Sequence, residues 1–221
     1  MSARIFALWG ERQTQARLLQ LVWLLWLLLL VPASTLAGHG FMTAFANIEW
    51  LPDPGRTPDS AWYRLDAWQE EAKLLLARTP EAKVRLCLAF AREKLAELEA
   101  MVKAENAPAA ETAAERYRLY VDRAGQIVQS AVDGAQTADT APLAEVMATA
   151  LLEHQYILSV IYEELPAHAR AVVLRVIAAA QERYQPIVQL LPPKKKGALF
   201  FKEEEVRWSI QMAMRVDEDN P

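Results

Sequence analysis

Three histidines and a pair of methionines are the residues of this 221-residue chain whose types invite metal chemistry. His154 and His168 stand fourteen residues apart with Pro166 between them. They therefore fall on two helices joined by a short turn, and imidazoles facing across such a hairpin can share a metal. His154 also lies beside Glu153 and Tyr156 on an apolar stripe, where a core histidine hydrogen-bonded to a carbonyl or carboxylate is the favoured reading. Met212 and Met214 carry soft thioethers of the kind that suits Cu(I), and His39 is the third histidine. Ordinary apolar packing is favoured for both methionines, so the metal candidates are weak and no cofactor is expected.

The remaining chemistry is thin. Cys87 is the single cysteine, flanked by apolar residues, so it can form no internal disulfide and reads as a small buried hydrophobe. The chain has no glycine-rich phosphate loop, no Gly-x-Ser-x-Gly elbow and no His-Glu-x-x-His. Tyr117, Tyr120, Tyr156, Tyr162 and Tyr184 read as packing rather than as a ligand platform. An enzyme is not expected. Residues 1–37 hold three arginines and one glutamate, so a net charge of −4 for the whole leaves −6 for the remainder, which disfavours nucleic acid as a partner.

Two surface candidates remain. Trp50, Trp62 and Trp68 form a protein-binding patch if they are exposed together. Lys194, Lys195 and Lys196, followed closely by Phe200 and Phe201, are candidates for contact with anionic lipid, with a solvated loop the favoured alternative.

The elements that must position these residues are helices throughout. Ala, Leu, Glu, Arg and Gln dominate the body, β-branched runs are scarce, and no sheet is expected. Residues 38–57 form an irregular lead-in, and the stretch from Trp50 to Asp59 that joins it to the first helix is rich in proline. Thr57-Pro58 or Asp59 caps a first helix in which Trp62, Leu65, Trp68, Ala72, Leu75 and Leu76 recur at spacings of three and four, and that face reads as core. Thr79-Pro80-Glu81 starts a second helix with Val84, Cys87, Leu88, Ala91, Leu95, Leu98 and Val102 inward and Glu81, Arg85, Arg92, Glu93, Lys94 and Glu97 on a solvated face. A third helix runs to about Val132, with Ala114, Tyr117, Val121 and Ala124 in register. Pro142 opens a fourth, carrying Leu143, Met147, Leu151, His154 and Leu158. Pro166 starts a fifth through Ala171, Leu174, Ile177, Ala178, Gln181 and Tyr184, which Pro186 kinks or ends. The expected fold is all-α: a bundle of about five helices in tight antiparallel hairpins over residues 58–191. Residues 192–221 form a basic and apolar tail, with a short helix from Lys202.

Ahead of this body, Arg4, Arg12 and Arg17 precede the uncharged run Leu18–Val31. Positive charge stays on the cytoplasmic side, so the body is expected outside the cytoplasmic membrane, in a periplasmic or extracytoplasmic space. Residues 1–37 read as a signal peptide, with Thr35-Leu36-Ala37 as the cleavage site, or as a transmembrane anchor extended into the uncharged flank. No cysteine stands just after the run, which excludes a lipoprotein anchor.

The stretch PDSAWYRLDAWQEEAKLLLARTPEAKVRLCLAFAREKLAELEAMV, with LLEHQYILSVIYEELPAHARAVVLRVIAAAQERY after it, resembles an uncharacterised bacterial and archaeal family of extracytoplasmic helical domains. The likeness covers about residues 57–185. It rests on an aromatic before the first helix, on Thr79-Pro80-Glu81, and on His154, Leu158, Pro166 and Ala169-Arg170. Arg64-Leu65-Asp66 departs from it, because the family usually places a lysine after the aromatic. The resemblance implies an exported helical module of unknown function and transfers no catalytic residue. The expected role is a structural or interaction module of the cell envelope whose partner is another envelope protein; a periplasmic sensor of metal or envelope stress is the alternative.

Overall fold

The computed structural model describes residues 43–134 and 140–218. The chain divides into two units, Met1–Met42 and Thr43–Pro221. The run Leu18–Val31, the cleavage site and His39 lie outside the described residues.

Six helices and no strand make up the described residues: α1 (Tyr63–Leu76), α2 (Pro80–Lys103), α3 (Ala107–Gly134), α4 (Ala141–Glu164), α5 (Ala167–Gln189) and α6 (Pro193–Glu218). Among them no helix is long and apolar enough to cross a membrane. Local signals set most boundaries. Thr79 caps α2 by accepting from the Ala82 N–H at 3.1 Å, with Pro80 in the first turn. At the other end of α2, Glu105 takes a left-handed φ of 54°, while the N–H groups of Glu105 and Asn106 bond back to Val102 and Met101. That is a Schellman turn with glutamate where glycine is usual. Asn106 then caps α3. Leu165 and Pro166 alone separate α4 from α5, and Arg170 Nε donates to the Leu165 carbonyl at 2.8 Å.

The core is a ring of four helices. α2 packs on α3, α3 on α5, α5 on α4 and α4 on α2, while α6 lies against α4 and α1 against α2. Glu111 pairs with Arg175 and Asp122 with Arg183. Because both sets of numbers rise together, α3 and α5 run parallel, each antiparallel to its own hairpin mate. Alanines and Gly125 let them approach closely: a Cβ on Gly125 would meet Arg183 Cδ at 2.7 Å. The stripes expected of α2, α3 and α4 are buried, including Cys87, Tyr117 and His154.

Four expectations require correction. The first helix starts at Tyr63, because Thr57 bonds Asp59 and the backbone turns at Ser60 before entering it. Of the kink or end expected at Pro186, the end does not occur, because α5 continues through it to Gln189. Its buried side is Ala169, Val173, Val176, Ile177, Ala180 and Tyr184, whereas Ala171, Ala178 and Gln181 are exposed. The tail is one helix of 26 residues, with Leu199, Val206, Ile210 and Ala213 buried along its inner side. It follows the five helices of residues 58–191 and starts at Pro193, nine residues before the short helix expected from Lys202.

The lead-in also has a definite course. Thr43 and the Ala44 N–H bond the Glu205 carboxylate on α6, and Phe45 stacks on Tyr156 of α4 at 4.4 Å with Lys202 Nζ 5.2 Å from its ring centroid. Arg92 of α2 then donates to the carbonyls of Glu49 and Trp50 and to the Glu49 carboxylate. Residues 43–51 are thus a strap across three helices.

Candidate interaction surface

α1 is the element whose packing departs most from its sequence. Tyr63, Ala67, Glu70 and Leu74 recur at four, three and four, and this line faces the bundle. Leu74 is the one apolar side chain of α1 that is fully buried. The more apolar line, Leu65, Trp68, Ala72 and Leu75, lies about 160° around the helix, where 100° separates successive residues. Trp62, Trp68, Leu75 and Leu76 are exposed to 67, 74, 79 and 79%. The face expected to be core is therefore the outer face.

What holds α1 the wrong way round is a buried charge network. Lys94 of α2 is 0% exposed, and Glu70 and Glu97 are 2% and 1%. Lys94 Nζ lies 2.5 Å from Glu97 Oε1 and 2.7 Å from Glu70 Oε1, the latter an ion pair without hydrogen-bond alignment. Glu70 Oε2 accepts from Tyr120 OH at 2.5 Å and from Arg116 Nη2 at 2.7 Å, both on α3. Glu97 Oε2 accepts from Tyr63 OH at 3.0 Å. The residue after Glu70, Glu71, pairs with Arg123 of α3 at 2.7 Å. Lys94 and Glu97, expected on a solvated face, are the centre of the attachment.

Burial opposes the charge on both carboxyls, with different outcomes. At Glu70 the burial effect is overcome by Lys94, Tyr120 and Arg116, which hold it below the usual carboxylate range. At Glu97 burial wins over the attraction of Lys94 and the Tyr63 hydroxyl, pushing it up to about 7. Tyr63 and Tyr120 are raised by burial and by the carboxylates they donate to. These groups hold one another across α1, α2 and α3, with Glu70 Oε1 and Arg116 Nε left without hydrogen bonds, and so work as a latch. Two buried side chains off the expected α2 stripe, Phe90 and Met101, are the sequence signal of a second covered side on that helix.

A family model described as Domain of unknown function (DUF5667) matches residues 55–167, just over half of the chain. The chain belongs to this family. The DUF5667 match begins before α1 and ends at the start of α5, so it contains Tyr63, Glu70, Lys94, Glu97, Arg116 and Tyr120 together with the outer face of α1. α6 lies beyond it. No curated protein and no solved structure matches the chain.

The other candidates of the DUF5667 chain are placed as follows. Trp50 is 43% exposed, yet its carbonyl is held by Arg92, which lies about 160–200° around α2 from Phe90 and Lys94. The strap therefore crosses the side of α2 opposite α1, and Trp50 does not join Trp62 and Trp68. His154 is buried with Nδ1 3.2 Å from Tyr117 OH and the rings edge-on; burial, aided by the Arg92 charge, pushes it down to about 3, so it is neutral. His168 is exposed in the first turn of α5, roughly 15 Å of helix rise from His154, and the two do not meet. Met212 and Met214 are two residues apart on α6, so they point to opposite sides. Among the described residues no group of three or more His, Cys, Asp or Glu could hold a metal. Lys194, Lys195 and Lys196 form the first turn of α6, where Lys195 pairs with Glu145 and Lys196 donates to Gln189, while Phe200 and Phe201 are exposed.

Proposed function

We propose that this chain is an exported interaction module of the cell envelope, without catalytic chemistry, that binds another envelope protein through the outer face of α1. One observation carries the reading: a helix with an apolar and a mixed face buries the mixed one. Leaving a Leu-sized side chain in water forgoes about 1.5–3 kcal/mol each. An exposed apolar row of that kind marks a binding surface. Export is supported by Arg4, Arg12 and Arg17 ahead of the uncharged run Leu18–Val31. N-terminal sequencing of the native protein separates a freed module beginning at Gly38 from one that keeps its anchor.

The latch supports a non-catalytic reading, because Lys94, Glu70 and Glu97 hold one another away from solvent. The test is mild crosslinking of intact cells, followed by recovery of the protein from the membrane fraction. A defined partner recovered with it is the expected outcome; recovery alone, as a monomer, counts against the proposal.

A further inference from the structure

The outer face of α1 has the form of a seam. Leu65, Trp68, Ala72 and Leu75 recur at three, four and three, the spacing by which one helix meets another. Ala72 leaves a notch between the larger Trp68 and Leu75. A notch at that spacing receives a side chain from a facing helix, whereas a lipid surface makes no use of it.

The acidic side chains beside the seam are paired, although Glu71 keeps 43% of its side chain exposed, and the unpaired charges near it are positive. Glu70 and Glu71 turn to Lys94, Arg116 and Arg123, and Asp66 stands 3.8 Å from Arg56. Arg64, next to Leu65, and Arg78, just past the end of α1, are left exposed at the two ends. Resting on the interaction-module reading, we infer that this seam seats one amphipathic helix of another envelope protein, apolar at three-four spacing and flanked by aspartate or glutamate. A second copy fits poorly, because antiparallel seams would set Arg64 of one against Arg78 of the other. The chain's own Leu18–Val31 contains no acidic residue to meet either arginine.

The test places a photoreactive amino acid at position 75, and separately at position 201 on α6, in the full chain within cells that make it naturally. Adducts are sequenced by mass spectrometry. Position 75 should label a single partner segment with apolar three-four spacing and acidic flanks. Arg64→Glu with Arg78→Glu should lower that yield about tenfold, while Arg64→Lys with Arg78→Lys should keep most of it. Labelling of lipid or of a second copy, a partner segment without acidic flanks, or indifference to charge reversal would overturn the inference. A single partner segment at 75 that lacks acidic flanks would remove this inference and leave the interaction module standing; no protein adduct at 75, whether or not 201 labels, would remove both.

Discussion

Leu74 and Leu75 are neighbours on one helix, yet the first is 2% exposed and the second 79%. The difference shows which way α1 is turned, and it makes a direct prediction. Leu74→Ala should cost about 2–4 kcal/mol, because it opens a cavity beneath α1. Leu75→Ala should stay within about 0.5 kcal/mol, since the side chain touches little. Chemical denaturation of the purified domain measures both. Equal losses would mean that α1 buries its apolar face after all.

The latch predicts strong non-additivity. Lys94→Met leaves Glu70 and Glu97 buried without their shared cation, and should cost about 3–5 kcal/mol. Adding Glu70→Gln and Glu97→Gln to that variant should restore most of the loss, because Tyr63, Tyr120 and Arg116 still find an amide oxygen. Denaturant midpoints of the single and triple variants decide it.

Two buried groups should tilt stability with pH in opposite senses. Glu97 is raised to about 7, so the folded state keeps a proton that the unfolded chain releases near pH 4.5. Its contribution is present below about pH 4.5 and is lost as pH rises toward 7. Glu97→Gln should therefore gain on the wild type across that window. His154 is lowered to about 3, so its neutral burial stabilises above about pH 6.5 and is lost as pH falls toward 3. His154→Gln should gain on the wild type as the solution is acidified through that range. Unfolding free energies from pH 3 to 8 for the three proteins test both slopes.

Much of the architecture is legible in the sequence, and the places where it is not share a cause. Thr79-Pro80 and Leu165-Pro166 mark real boundaries, because capping and proline chemistry act within a few residues. The stripes of α2, α3 and α4 follow their periodicity, because those helices form the ring and have apolar neighbours to meet. α1 has two usable faces, and periodicity ranks them by hydrophobicity alone. The choice is made by Lys94, Arg116, Tyr120 and Arg123, which are 24 to 52 residues away from the α1 carboxylates they hold. Pro186 does not end α5 for a related reason: Ile187 and Val188 beyond it are buried in the core.

The turn after α2 offers a stabilising change. Glu105 holds a left-handed φ of 54° that costs a side-chain-bearing residue about 1 kcal/mol. Glu105→Gly should raise stability by about 0.5–1 kcal/mol. A higher thermal midpoint is the expected reading.

The proposed working surface is the outer face of α1. Its most direct test is a triple substitution, Trp68→Ser, Leu75→Ser and Leu76→Ser, in the full chain of crosslinked native cells, with co-recovered protein quantified against the wild type. The expected result is a partner present with the wild type and lost from the variant, at unchanged helicity and unchanged thermal midpoint of the purified domain. Equal recovery of the partner by both proteins would contradict it.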